Sequence, residues 1–311
     1  MGVVHDLDPE VIAALSVALP RVPGVAVVRD ASLSDHTALR VGGPADLLVH
    51  APTPEAVHGV TELAGRVHCP WRVVWPLDGA VPKDGGVAGI AIVPGRAFEC
   101  LRKSGRGEAL VELGAATPFA ALAAAGPGFE ALSRWPGTPG GLLAAGHGKW
   151  LAGACAALKT LTASGVRERR VAATSVPERL ARTSTLVSIT LRPVPPDHPT
   201  PPPAGLVLEP DAPLLAVGAT WRDIAHAFEV LDLCDSRLRG WTLSASWPGV
   251  VRQNGAGTTT DLELFARGLS DKLLRTRGMA TRSSSRVYGR PPIQSRRPTK
   301  NRGAPSPRGR R

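Results

Sequence analysis

Three glycine- or arginine-bearing stretches of this 311-residue chain carry the residue types that cofactor chemistry needs. His36 to Val49 reads HTALRVGGPADLLV: Arg40 supplies a permanent cation, Gly42 and Gly43 permit close backbone approach, and Pro44 fixes the exit into an apolar run. Such a corner serves either as the entry to a nucleotide-cofactor site or as an ordinary glycine turn. Trp135 to Gly141 reads WPGTPGG, where Pro136, Gly137, Thr138, Gly140 and Gly141 form a run of mostly small residues able to present N–H groups to a phosphate as an anion nest. Arg182, in Ala181-Arg182-Thr183-Ser184 just ahead of the strand-like LVSITL, is either a catalytic cation or a surface arginine.

Elements of two kinds must hold these stretches in place. Asp8-Pro9, Thr53-Pro54 and Thr117-Pro118 each combine a capping side chain with proline at the first helical position, and so predict three helix starts. Short runs rich in Val, Ile and Leu predict strands at Asp46 to His50, Trp71 to Trp75, Gly89 to Pro94 and Ala109 to Leu113. Pro193 to Gly205, PVPPDHPTPPPAG, reads as a stiff polyproline linker. Beyond it a helix is expected near Trp221 to Leu231, strands near Trp241 and Val250, and a helix opened by Thr260. The fold class is α+β. Four segments are expected: an N-terminal helical segment (1–29), a cofactor domain (30–200), a smaller α+β domain (201–290) and a tail (291–311).

Composition narrows the function classes. Hydrophobic residues make up 43% of the chain, and no apolar run is long enough to span a bilayer. With no basic region followed by an apolar block at its start, the chain is read as cytoplasmic. Cys69, Cys100, Cys155 and Cys234 are widely separated and lack metal-ligand spacing; together with eight scattered histidines they predict buried free thiols and no metal site. The net charge of +11 comes from one end: residues 272–311 hold thirteen Lys and Arg without an Asp or Glu, leaving the rest of the chain slightly acidic. The tail is too poor in apolar residues to bury surface, and no aromatic interleaves its arginines to stack on bases. It is read as a solvated disordered segment, with nucleic acid not among the expected partners.

In order along the chain, the motifs resemble those of the UDP-N-acetylenolpyruvoylglucosamine reductase (MurB) family. The TALRVGGPAD segment is similar to that family's TxRxGGPA opening, Asp84-Gly85-Gly86 to its DGG, WPGTPGG to its GxPGTxGG flavin loop, and QNGAGTTTD (Gln253 to Asp261) to its NxGxATAxD. The resemblance covers roughly residues 30–290 and implies a two-part FAD-binding domain of the MurB/PCMH type followed by a substrate-binding domain. It also implies FAD as cofactor, NADPH as hydride donor, a UDP-sugar substrate and a monomer. The implied reaction passes hydride from NADPH through the flavin to the enolpyruvyl double bond, giving UDP-N-acetylmuramate for peptidoglycan synthesis. Arg40, Gly42, Gly43, Gly79, Pro136, Gly137, Thr138, Gly140 and Gly141 fall at flavin-contacting positions, and Arg182 at the arginine of the YRxS motif.

Other family positions carry different chemistry. Leu206 stands where a serine donates a proton and Ser284 where a glutamate acts, and neither replacement has the required group. Trp75 to Gly79, WPLDG, replaces a GGGSN loop, adding bulk and a carboxylate where glycines admit a diphosphate. The expectation is therefore a reductase-like flavoprotein with impaired turnover and weak or lost FAD, or else a non-catalytic relative that binds a nucleotide-sugar, a flavin or a protein partner.

Overall fold

The computed structural model describes residues 7–37, 39–75, 81–104, 109–135, 137–162, 164–172, 176–177, 180, 184–199, 206–210, 221–233, 237–243, 250–253, 257–278, 281–283 and 287–290. The tail expected at 291–311 lies outside them.

Helix α1 (Pro9–Ala18) starts where the Asp8 carboxylate accepts the Glu10 N–H. Strands β1 (Ala26–Ser32) and β2 (Pro44–Ala51) pair antiparallel, and α2 (Pro54–Arg66), capped by Thr53, carries the chain over the sheet. Strands β3 (Trp71–Val73) and β5 (Val87–Pro94) then complete a mixed sheet in the order β1-β2-β5-β3, with β4 (Val81–Pro82) set aside. Both faces of the central strands β2 and β5 are covered, as their near-continuous apolar runs require, while the edge strand β1 is largely exposed. Leu47, Val49, Ile90 and Ile92 enter the main core under α1 and α2, while Ala45, Leu48 and Ala91 enter a smaller one with Leu33 and Val74.

A second sheet is antiparallel and runs β6-β7-β10-β8-β9, from β6 (Leu101–Ser104), β7 (Leu110–Gly114), β8 (Cys155–Thr162), β9 (Gly165–Arg170) and β10 (Thr185–Leu191). The short helices α3 (Glu130–Ser133) and α4 (Pro139–Ala145) lie between β7 and β8 in sequence. This sheet shares the main core with the first, so one apolar body holds both. The start of the proline-rich stretch belongs to that body as well. Val194 is buried in the core, its N–H donates to the Gly128 carbonyl, and the His198 ring stacks on Trp135 at 5.7 Å. Val194 and His198 thus anchor the start of this stretch to the body through apolar and aromatic partners, while Pro193, Pro195, Pro196 and Asp197 stay exposed.

The third sheet, β12-β13-β14-β11-β15, is formed by β11 (Leu206–Pro210), β12 (Arg237–Leu238), β13 (Trp241–Leu243), β14 (Val250–Gln253) and β15 (Thr281–Ser283). Helices α5 (Trp221–Val230) and α6 (Thr259–Arg277) accompany it. Its core, centred on Trp241, Phe228, Leu262 and Leu273, also takes in Leu39, Val41 and Val81 from the first half of the chain. Strand β16 (Val287–Tyr288) then returns to pair in parallel with β4.

Of the three expected Thr/Asp-Pro helix starts, two form and one does not. Thr117 gives its hydroxyl to the Cys100 backbone, accepting that N–H at 2.8 Å, and the following residues 119–124 make a 3-10 turn without a side-chain cap.

Candidate functional site

The glycine corner at Arg40 to Pro44 is a crossing of two backbones. A Cβ on Gly43 would meet the carbonyl of Asp84, and a Cβ on Gly86 the carbonyl of Pro44, so neither position admits a side chain without moving main chain. The Gly43 N–H donates to the Lys83 carbonyl at 3.0 Å. Gly42 has φ +121°, and its missing Cβ leaves room for the Pro82 ring. Arg40 itself is exposed with φ 49°, between the buried Leu39 and Val41. The corner fastens two parts of the chain, and its glycines serve that closeness.

The DGG and QNGAGTTTD segments meet at the same place. Asp84 Oδ1 accepts the Thr259 N–H at 2.8 Å; Asp84 Oδ2 accepts the Thr260 N–H at 2.8 Å and the Thr260 hydroxyl at 2.6 Å. A carboxylate at the first turn of α6 satisfies donors that the helix cannot satisfy itself, and its charge suits the helix dipole. Thr258 and Asp261 add a reciprocal capping box, and Thr259 Oγ1 donates to the Pro82 carbonyl. Burial pushes the Asp261 carboxyl up, but hydrogen bonds from Thr258 and Arg239 outweigh it and hold the group below the ordinary aspartate range. A second clasp lies nearby, where Arg290 forks onto Asp46 with two contacts of 2.8 Å and Asp46 also accepts the Gly89 N–H. Sequence reasoning missed Asp84, Asp46 and Arg290 as a joint; the signal was the DGG carboxylate, whose partners lie some 175 residues away.

The WPGTPGG stretch has a different fate. Thr138 is the N-cap of α4: its hydroxyl accepts the Gly141 N–H at 3.1 Å and its carbonyl the Leu142 N–H at 2.9 Å. The Gly140 N–H donates to the Ala115 carbonyl at 2.9 Å. These three donors are spent inside the protein, so the expected nest is a capped and almost wholly buried helix start. Gly137, with φ +88°, gives its carbonyl to the Phe119 N–H; Pro136 lies outside the described residues.

Trp75 stands over Gly140. A Cβ on Gly140 would come within 2.7 Å of indole Cε2 and Cε3, so the glycine is needed for the ring to lie flat against the helix. The indole is buried at 4% exposure and meets Phe98 edge-on at 5.7 Å. Beside it a cleft of about 520 Å³ opens, lined by Trp71, Arg72, Leu143, Leu186 and Tyr288 among others. Leu180 and Ser184 also line it; Arg182, Gly79 and Ser284 are not among the described residues. Leu206 sits on β11 and its backbone pairs with Val251; on the same strand Leu208 pairs with Ser283, the neighbour of Ser284. Leu206 and Ser283 thus belong to neighbouring strands of one sheet, and Ser284 is not among the described residues.

Burial raises the thiols of Cys69 and Cys155 to about 11, so both are protonated and unreactive near neutral pH. Cys100 is likewise free, while Cys234 is outside the described residues. Among the described residues no cluster of three or more His, Cys, Asp or Glu is placed to hold a metal, and no helix is long and apolar enough to cross a membrane.

With this geometry in hand, the class is defined by fold. The chain has the α+β architecture of a crystal structure of UDP-N-acetylenolpyruvylglucosamine reductase (MurB) from Thermus caldophilus, at TM-score 0.59 and 20% identity, covering 85% of this chain and 98% of that one. In sequence it resembles the MurB family specifically. It is 34% identical over 125 residues to UDP-N-acetylenolpyruvoylglucosamine reductase of Geobacter sulfurreducens, a match spanning 39% of this chain and 41% of that protein. The enzymes of the same name from Anaeromyxobacter and Clostridioides difficile match at 35% and 33% over 127 residues each, spanning 39% of this chain and 39% and 40% of theirs. The matched stretch is thus about two fifths of the relatives' length. No family model matches the chain.

Proposed function

We propose that this chain is a UDP-N-acetylenolpyruvoylglucosamine reductase-like protein of the cytoplasm whose turnover is impaired because the ground where FAD would lie is taken by protein. The observation that carries this reading is the Trp75 indole lying flat on Gly140. Support comes from the N–H groups of Gly140, Gly141 and Leu142, all of which are engaged internally rather than left for a diphosphate. The residues present therefore do not fit the flavin that the resemblance implies, and no step is derived through it.

The remaining groups argue the same way. Reduction of an enolpyruvyl double bond needs a proton donor at one carbon and a cation for the carboxylate. Leucine at 206 has no proton to give, and serine at 284 no charge; Arg182 alone keeps the required character. The expected partner is a UDP-sugar bound to a monomer, with NADPH as donor for any residual turnover. Steady-state assay tests this: NADPH oxidation dependent on the enolpyruvyl sugar is absent or at least about a thousandfold below that expected of a working enzyme. A robust rate abolished by Arg182→Ala overturns the proposal. The cleft still open beside Trp75 favours a second reading, a non-catalytic protein that retains ligand binding.

A further inference from the structure

A separate cleft of about 480 Å³ opens between α2, Trp71 of β3, and Leu161, Thr162 and Thr185 of the second sheet. Its α2 wall is His58, Thr61, Glu62, Gly65 and Arg66, at i, i+3, i+4, i+7 and i+8, and so one stripe of the helix. Ala56, Val57, Val60 and Ala64 form the neighbouring stripe, buried in the main core. Opposite, Leu161 and Thr185 are cross-strand partners and share a face. Two glycines interrupt α2. A Cβ on Gly59 would meet Val22 at 2.9 Å, so packing accounts for that one. A Cβ on Gly65 would meet nothing within 4 Å, and its φ is not in the left-handed region. Neither packing nor backbone conformation calls for glycine at 65, and glycine weakens a helix; what the missing side chain does is widen the cleft.

The three threonine hydroxyls of the wall differ. Thr61 donates to the His58 carbonyl at 3.0 Å, and Thr162 to the Gly165 carbonyl at 3.2 Å in its own turn. Thr185 is only 3% exposed, and its hydroxyl has no hydrogen-bond partner. A hydroxyl buried to that degree is costly to leave unanswered, and a ligand reaching it supplies the partner. Trp71 and Leu161 offer apolar surface for the rest of the ligand, and an aromatic ring packs on an indole edge-on or offset. At the rim Arg66 and Glu62 lie 2.6 Å apart and answer each other, so that pair asks for no charge from a ligand. The volume is within the range of small-molecule sites.

We infer that this cleft is a binding site for a small neutral aromatic molecule carrying one hydroxyl, with Thr185 bonding the hydroxyl, Trp71 and Leu161 packing on the ring, and Gly65 leaving it room. The test titrates full-length protein calorimetrically with 2-naphthol and with 2-naphthoate, which has the same rings and a charge. Naphthol is expected to bind saturably, one per chain, and naphthoate at least about tenfold more weakly, because its carboxylate would lose water without gaining a cation. Gly65→Leu fills the open space with a better helix former. It is expected to weaken naphthol at least about tenfold with an unfolding midpoint no lower than the native one. Gly65 lines this cleft and not the one beside Trp75, so the variant also tells the two apart. Thr185→Val is expected to weaken naphthol about fivefold, and Thr185→Ser, which keeps the hydroxyl, to bind nearly as the native chain does. If Gly65→Leu does not fold, the Thr185 pair decides. No saturable binding, equal binding of naphthol and naphthoate, full affinity in folded Gly65→Leu, or equal affinity in Thr185→Val and Thr185→Ser would each overturn the inference.

Discussion

Two regions of this molecule inherit family-like motifs and use them in opposite ways. At the joint formed by Gly43, Asp84, Gly86, Thr259 and Thr260, each motif residue has a partner inside the chain: carboxylate to helix N–H, glycine to carbonyl. At the cleft, Gly140 and the WPGTPGG loop have a tryptophan and a helix cap where the resemblance puts a cofactor. Motif residues that hold parts of a chain together remain useful without chemistry. Residues that only admit a ligand can be overgrown by a side chain, and the fold survives the change.

Three perturbations break or sharpen that contrast, the largest first. Trp75→Ala removes a buried indole from the main core, and truncations of this kind cost about 3 to 5 kcal/mol. Thermal unfolding should show a midpoint lower by roughly 10 °C; a shift of a degree or two would mean that the ring is not packed as described. Asp84→Ala leaves the first-turn donors of Thr259 and Thr260 unanswered and should cost about 2 kcal/mol. Denaturant titration checks it, and Asp84→Asn, which keeps acceptor and donor capacity, should recover part of the loss.

The third perturbation is pH. The Asp261 carboxyl is depressed in the folded protein, so the stability it contributes is fully present above the ordinary aspartate pKa, near 4, and is lost as pH falls through the lower folded value. Stability measured from pH 5 downward should fall more steeply in the native chain than in Asp261→Asn. Parallel curves would remove the capping box from the account.

How far the sequence could reveal this arrangement depended on the range of the interaction. Asp8-Pro9 and Thr53-Pro54 were readable as helix starts because cap and helix are neighbours. Thr117-Pro118 has the same local form, yet its hydroxyl is claimed by Cys100, seventeen residues away. Thr138-Pro139 shows the converse, since a loop that reads as an anion nest starts a capped helix in which the Gly140, Gly141 and Leu142 N–H groups are engaged within the chain. Strand β3 was anticipated through Trp75, but the strand ends at Val73, its last backbone bond to β5 comes from the Val74 N–H to the Ile92 carbonyl, and the indole goes to Gly140. That contact spans 65 positions, and no local pattern encodes it. The glycine corner was visible as a place of close approach; whether ligand or backbone would do the approaching was not. The α+β class and the ordered motifs were legible because each rests on short-range pattern.

The absorbance spectrum of the protein purified from a flavin-replete host tests the central claim most directly. If Trp75 and the capped α4 have taken the ground over Gly140, the preparation is colourless and added FAD does not co-elute with it. A yellow protein carrying oxidised flavin in stoichiometric amount would contradict the account.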